Sequence, residues 1–91
     1  MREIDETAAF KRDMKRLAKG GRYAVADLIA VVRDLAEDTP LAPQQRDHPL
    51  AGNWKDHREC HLRPDWLLVY RLEPGKLVLV RTGTHSDLFK K

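Results

Sequence analysis

A single cysteine, an aromatic content of 7% and the lack of any long apolar run limit what this chain of 91 residues can be. Cys60 has no partner for an internal disulfide, which fits a reducing compartment. No run approaches the roughly 18 apolar residues of a membrane-spanning helix, and the N-terminal MREIDETAAF lacks an apolar signal-peptide core. We therefore predict a cytoplasmic protein that binds no membrane.

The length fits one compact domain over residues 1–91, with one modest core. The net charge is +3, and the surplus lies in the C-terminal half. Residues 41–91 hold nine Lys or Arg against six Asp or Glu, whereas residues 1–40 hold eight of each. A basic surplus beside aromatic residues and histidines favours a polyanionic partner such as nucleic acid.

Two amphipathic helices are predicted in the first 40 residues. Thr7 is a candidate N-cap for a helix that extends to about Lys19, where apolar residues recur at helical spacing. Gly20 and Gly21 end this helix. A second helix, over residues 23–37, has its own apolar stripe and can pack antiparallel on the first after the two-glycine turn. The pattern therefore predicts a helical hairpin.

The first helix also has a basic face. Lys11, Lys15 and Lys19 follow one another at intervals of four residues, so they lie on one side of the helix. We predict that they contact ribosomal RNA, and the alternative is an ordinary solvated face.

Strand patterns dominate the second half of the chain. Residues 58–63 alternate with period two, residues 65–72 are nearly all apolar, and residues 76–81 return after the turn residues Pro74 and Gly75. Residues 2–6 are compatible with an edge strand. We predict an α+β fold in which the N-terminal helical hairpin packs on one face of a small antiparallel sheet, leaving the other face free for a ligand.

Alternation along residues 58–63 assigns side chains to the two faces of this sheet. Glu59, His61 and Arg63 should share the free face, whereas Cys60 should lie against the helices as a buried, inert thiol. Arg81 and His85, at the end of the last strand, should arrive on the free face as well.

Four histidines in so short a chain suggest either a metal site or acid-base chemistry. His57 and His61 are about 13 Å apart at extended spacing, too far to share one ion. A site built from His48, His61 and His85 is geometrically possible, but we expect neither a metal nor another cofactor.

Cleavage of RNA by its own 2′-hydroxyl requires a base, a proton donor for the departing 5′-oxygen and positive charge near the phosphate. Histidine suits both proton transfers, because its unperturbed pKa of about 6.5 is close to neutral pH. Arg81 suits the phosphate, since a guanidinium hydrogen-bonds two oxygens in a fixed geometry. Trp66 and Phe89 are candidates for stacking on a base, although a tryptophan is often a core residue.

Several motifs at matching spacing identify a family resemblance. They are Asp47-His48-Pro49-Leu50, Gly52-x-Trp54-Lys55, Arg58-x-x-His61, Pro64-Asp65-Trp66 and Arg81-Thr82-Gly83-Thr84-His85-Ser86-x-Leu88-Phe89. With them, nearly the whole chain resembles the YafQ branch of the RelE/ParE toxin superfamily. The members of this branch are ribosome-dependent mRNA endonucleases of bacterial type II toxin-antitoxin systems.

The resemblance implies a microbial-ribonuclease-like fold that enters the ribosomal A site and cuts the codon there. It also implies a cognate antitoxin, usually encoded beside the toxin. The active-site positions of the family fall on His48, His61, Asp65, Trp66, Arg81, His85 and Phe89. Glu59 stands where the family has an aspartate, and we expect it to contact the substrate.

For the reaction itself we predict that His85 protonates the leaving 5′-oxygen. His48 or His61 takes the 2′-hydroxyl proton, Asp65 orients a histidine and Arg81 holds the phosphate. Two alternatives are a ParE-like toxin that targets DNA gyrase and needs no acid-base histidines, and an RNA-binding module that would keep its function without His85.

Overall fold

The computed structural model describes residues 1–89 and shows an α+β domain, as predicted. The helices are α1 (Ala8–Gly20), α2 (Val25–Ala36) and α3 (His85–Leu88), with 3₁₀ turns at Pro43–Gln45 and Gly52–Trp54. The strands are β1 (Glu3–Glu6), β2 (His48–Pro49), β3 (Arg58–Arg63), β4 (Trp66–Glu73) and β5 (Lys76–Gly83). Within the described range, no helix is both long and apolar enough to cross a bilayer.

The five strands form one sheet in the order β1-β5-β4-β3-β2. Strands β2 to β5 pair antiparallel, but β1 runs parallel to β5, with Glu3 opposite Lys76 and Glu6 opposite Leu79. The sheet is therefore mixed, and the prediction of an antiparallel sheet is wrong. Parallel pairing is possible here because helices and strands separate β1 from β5 in sequence, so no tight turn joins the two strands.

Both long helices cover the same face of the sheet and share one core with it. Each contacts the sheet more than the other helix, so the predicted antiparallel helical hairpin is only partly matched. Thr7 caps α1 as predicted, with its hydroxyl accepting from the Phe10 amide at 3.0 Å. The core contains the following buried residues: Phe10, Leu28, Val31, Leu35, Ala36, Cys60, Trp66, Leu68, Tyr70, Leu77 and Leu79. Cys60 is fully buried, as the alternation of β3 predicts.

Strand β4 lies in the middle of the sheet and is buried on both faces, which confirms the interpretation of its apolar run. Its odd-numbered residues Leu67 and Val69 belong to a second, smaller apolar cluster on the face opposite the long helices. Leu88 of α3 completes the buried part of this cluster, and Leu50, Trp54, Val80 and Phe89 pack around it. The predicted free face is therefore partly covered, by α3 and by the turn that contains Trp54.

Two irregularities change where side chains lie. Between His61 and Arg63 the register of β3 against β4 shifts, and the Arg63 guanidinium reaches Asp27 of α2 at 2.8 Å. Arg63 thus leaves the face that strict alternation predicts, because a bulge reorients the residue that follows it. A second shift leaves Val80 of β5 without a partner on β4.

Candidate active site

A carboxylate lies between two histidines on the sheet face opposite the long helices, where β2 pairs with β3. Glu59 is directly opposite His48 in the β2–β3 pairing, and its Oε2 is 3.2 Å from His48 Nε2. The same oxygen is 3.7 Å from Nε2 of His61, two residues further along β3. The Glu59 side chain is only 8% exposed, whereas that of His48 is 47% exposed. Glu59 is therefore placed to hydrogen-bond His48, and it lies within ion-pair distance of His61. Its burial argues against the direct contact with substrate that the sequence predicts.

The ring of His48 faces an acceptor on each side. Its Nδ1 is 3.1 Å from the Pro49 carbonyl oxygen, while Nε2 faces Glu59. A neutral imidazole donates through one nitrogen only, whereas an imidazolium donates through both. Both ring nitrogens therefore face protein acceptors, and a 2′-hydroxyl can reach Nδ1 of His48 only by displacing the Pro49 contact.

His85 is presented by the short helix at the end of β5. Thr84 and Asp87 form a capping box, in which the Thr84 amide donates to Asp87 at 3.0 Å and the Asp87 amide donates to the Thr84 hydroxyl at 3.1 Å. His85 is exposed, and its ring centroid is 5.1 Å from that of Phe89. Phe89 in turn packs against Trp54, at 5.6 Å.

The sheet register relates the two histidine sites. His61 pairs with Leu67, and Leu67 pairs with Gly83, two residues before His85. Strands β3 and β5 are therefore separated by two strand spacings, or about 10 Å. The two histidine sites thus lie on either side of β4, and the interval between them, hereafter the gap, has the buried side chains of Leu67 and Val69 as its floor.

Arg81 lies at the β5 end of this gap, but its guanidinium is already paired. Nε and Nη2 donate to the two carboxylate oxygens of Asp13 in α1, at 2.6 and 3.0 Å. The hydrogen bond and the charge of Asp13 raise the pKa of Arg81 despite its partial burial. The side chain stays 27% exposed, and three of its five N–H groups remain for another partner.

Two predicted site residues lie on the wrong side of the sheet. Asp65 accepts from Arg22 at 2.7 Å and from the Tyr23 hydroxyl at 2.8 Å, so it fastens the α1–α2 connection and does not orient a histidine. Trp66 is 1% exposed, stacks on Tyr23 and donates its indole N–H to Thr82 at 2.8 Å. A side chain so buried cannot stack on a base, and both predictions are corrected on these grounds.

The remaining predicted residues lie apart from the gap. Lys11, Lys15 and Lys19 are exposed along α1. Burial, with the nearby carboxylates of Asp47 and Glu59, raises the pKa of Cys60 to about 12, so its thiol is neutral at ordinary pH. Within residues 1–89, no group of three or more His, Cys, Asp or Glu side chains is spaced to hold a metal ion.

Three features of the site were not predicted from the sequence. Asp13 was overlooked as the partner of Arg81, although it stands three residues after Phe10 in the apolar stripe of α1, where a charge is unexpected. Trp54 was not assigned a contact with Phe89. A cavity of about 480 Å³ adjoins His61, and it is lined by Gln44, Gln45, Arg46, His61, Leu62, Arg63 and Pro64.

Fold and site together define a class of protein. A small helix-covered sheet that carries histidines on both sides of this gap, with an arginine at one end, has the groups that a ribonuclease of the acid-base type requires. The chain belongs to the YafQ toxin family: residues 2–90 match the family described as bacterial toxin of type II toxin-antitoxin system, YafQ.

Individual relatives agree with this assignment. The mRNA interferase toxin YafQ of Escherichia coli K12 is 38% identical over 89 residues, spanning 97% of this chain and 96% of that protein. The crystal structure of a metal-bound toxin from Helicobacter pylori superposes with a TM-score of 0.91 at 48% identity, covering 98% of this chain and 100% of that one. The E. coli DinJ-YafQ complex gives a TM-score of 0.86 at 38% identity, covering 98% and 99%.

Proposed function

We propose that this protein is the toxin of a type II toxin-antitoxin system and acts as an endoribonuclease that cuts mRNA in the ribosomal A site. The observation that carries the proposal is the gap between the His48–Glu59–His61 group on β2 and β3 and His85 beyond β5. The E. coli relative named as an mRNA interferase supports the same activity. A ribosome-bound substrate implies that the protein works in the cytoplasm.

The proposed reaction is a transesterification within the RNA. The 2′-oxygen attacks the adjacent phosphorus, the bond from phosphorus to the 5′-oxygen breaks, and the products are a 2′,3′-cyclic phosphate and a 5′-hydroxyl. His48 or His61 takes the proton of the 2′-hydroxyl, and His85 gives a proton to the leaving oxygen. The three unpaired N–H groups of Arg81 stabilise the extra charge on the phosphate.

Binding groups surround these catalytic residues. Phe89, held by Trp54, is available to stack on a base beside the cut. Glu59 orients His48 through their hydrogen bond and lies 3.7 Å from Nε2 of His61. Lys11, Lys15 and Lys19 of α1 provide phosphate contacts to ribosomal RNA, because exposed lysines on one helix face form a positive stripe.

The proposed antitoxin has a docking surface between the long helices and β1, away from the histidines. A groove of about 570 Å³ runs between α1, α2 and β1 and is mainly apolar. Ile4, Val25 and Ile29 in this groove are 42%, 48% and 53% exposed, an apolar patch typical of a protein interface. Lys11 and Arg33 flank it. We propose an amphipathic antitoxin segment with acidic flanks as its occupant, in line with the DinJ complex of the E. coli relative.

The groove can be tested separately from the active site. Ile29→Glu should abolish binding of the antitoxin encoded beside this protein while mRNA cleavage stays normal. Ala30→Glu is the matched control, because Ala30 is exposed on the same helix but does not line the groove. Equal antitoxin binding by both variants would assign the antitoxin to another surface.

The activity is tested with ribosomes that carry a defined mRNA. The purified protein should cut the A-site codon and leave a 2′,3′-cyclic phosphate on one fragment and a 5′-hydroxyl on the other. A single 2′-deoxy nucleotide at the cut should abolish cleavage, because the attacking oxygen is missing. Treating the protein with a chelator before it meets the ribosomes should leave the rate unchanged. Cleavage of the deoxy substrate, or loss of activity after chelation, would contradict the proposed chemistry.

A further inference from the structure

Asp13 is a charged residue in an almost fully buried position, with a side chain that is 3% exposed. Besides the two N–H groups of Arg81, it accepts from the Thr82 backbone amide at 3.0 Å and from Arg16 at 3.1 Å. Burial alone raises the pKa of Asp13, but the hydrogen bonds from these donors outweigh it, and the pKa is lowered overall. The carboxylate is therefore charged and fully engaged at neutral pH.

The position of Asp13 explains its choice of partners. Strand β1 pairs with β5 only as far as Leu79, and the Thr7 hydroxyl donates to the Val80 carbonyl at 2.7 Å, so within residues 1–89 the edge of β5 has no strand partner beyond Val80. Helix α1 continues along this edge, and Asp13 takes the place of the missing strand by accepting from Thr82. One carboxylate thus satisfies the strand edge and fixes the guanidinium of Arg81.

A second connection leads from the same helix to α3. Nη2 of Arg16 lies 3.5 Å from both the Thr82 carbonyl oxygen and the carboxylate of Asp87, which caps α3. Gly83 lies beneath this contact. A side chain there would come within 2.9 Å of the Arg16 guanidinium and 3.1 Å of Asp87 Cβ. The missing Cβ therefore permits α1 and α3 to meet directly over β5.

We infer that Asp13 and Arg16 are positioning residues for the proposed cleavage reaction, on which this inference rests. Asp13 holds Arg81 in one orientation with three N–H groups directed away from the pair, and Arg16 fixes the first turn of α3, which carries His85. An unpaired arginine samples many rotamers, and fixing it before the substrate arrives removes that entropic cost from the reaction.

The experiment is a double-mutant cycle on single-turnover cleavage of ribosome-bound mRNA. Asp13→Asn keeps the shape of the side chain and removes its charge, and Arg81→Gln removes the proposed phosphate ligand. Asp13→Asn should slow cleavage by about 10-fold to 100-fold, with ribosome affinity changed by less than about threefold. Adding Asp13→Asn to Arg81→Gln should cause little further loss, because Asp13 acts through Arg81.

A stability control separates positioning from folding. Val31→Ala removes core volume under α2, far along the chain from this network, and should lower the melting temperature without slowing cleavage by the folded protein. If Asp13→Asn does not fold, Arg16→Gln is the second variant, because Arg16 is 48% exposed and the substitution removes its contacts with Thr82 and Asp87. It too should slow cleavage.

The outcomes distinguish this inference from the proposed function. If the wild-type protein cleaves mRNA and folded Asp13→Asn, or folded Arg16→Gln, cleaves it at the same rate, the inference is overturned and the function stands. Independent, multiplicative losses from Asp13→Asn and Arg81→Gln also overturn it. Absence of any cleavage by the wild-type protein refutes the proposed function itself.

Discussion

Nε2 of His48 and Oε2 of Glu59 are 3.2 Å apart across the pairing of β2 with β3. The carboxylate is nearly buried while the imidazole is half exposed, so one partner is fixed and the other faces the substrate side. We propose that Glu59, and not Asp65, orients His48.

Replacing Glu59 by glutamine should slow mRNA cleavage by about 10-fold to 100-fold. This factor corresponds to the free energy that one charge-assisted hydrogen bond contributes. The reason is that the neutral amide no longer stabilises a charged imidazole. Single-turnover kinetics measure the effect. Glu73→Gln is the control, because Glu73 pairs with Arg71 on β4. A wild-type rate in Glu59→Gln would show that this carboxylate does not assist the histidines.

Trp66 should matter for stability and not for catalysis. Trp66→Phe leaves the buried hydroxyl of Thr82 without its donor, which should lower the free energy of unfolding by about 1 to 3 kcal/mol. Urea denaturation measures this loss. Phe89→Leu should show the reverse, with native stability and slower cleavage. A stable Trp66→Phe variant with impaired cleavage would restore Trp66 to the active site.

The buried thiol of Cys60 predicts a pH dependence of stability. Its pKa rises from 9.0 to about 12 on folding, so between these values the unfolded chain loses the proton and the folded protein keeps it. The free energy of unfolding should therefore fall as pH rises through this window, by about 1 kcal/mol at about pH 10. Cys60→Ala should lack that contribution and cut RNA normally. Identical pH profiles for the two proteins would contradict this account.

The basic face of α1 should affect binding and not chemistry. Replacing Lys11, Lys15 and Lys19 by glutamine should weaken ribosome affinity and reduce the slope of log affinity against log salt by about one for each lost phosphate contact. Filter binding at several salt concentrations measures this slope. The control is the double variant Arg33→Gln, Lys76→Gln, which removes positive charge from α2 and β5 and should leave the slope unchanged. If the lysine variant keeps the wild-type slope, this face is only solvated.

The sequence predicted the elements whose patterns are local. The cap at Thr7, the two long helices, the central strand and the opposite faces of Cys60 and Glu59 all follow from periodicity and side-chain chemistry. The free-face assignment failed for Arg63 because a bulge interrupts strict alternation, and nothing local to β3 marks that bulge.

Tertiary partners account for the other differences. Asp65 and Trp66 were assigned to the active site by resemblance, but their partners Arg22, Tyr23 and Thr82 come from elements distant in sequence. The parallel pairing of β1 likewise depends on how the whole chain folds back. Periodicity carries no information about such long-range contacts.

His85 tests the central claim, that an acid-base reaction takes place between the two histidine sites. The single measurement is the single-turnover rate of mRNA cleavage on intact ribosomes by His85→Ala, compared with wild type at equal ribosome occupancy. A positioned acid contributes about 10² to 10⁴ in rate, so we predict a loss of that order with unchanged ribosome affinity. Cleavage by His85→Ala at the wild-type rate would contradict the account.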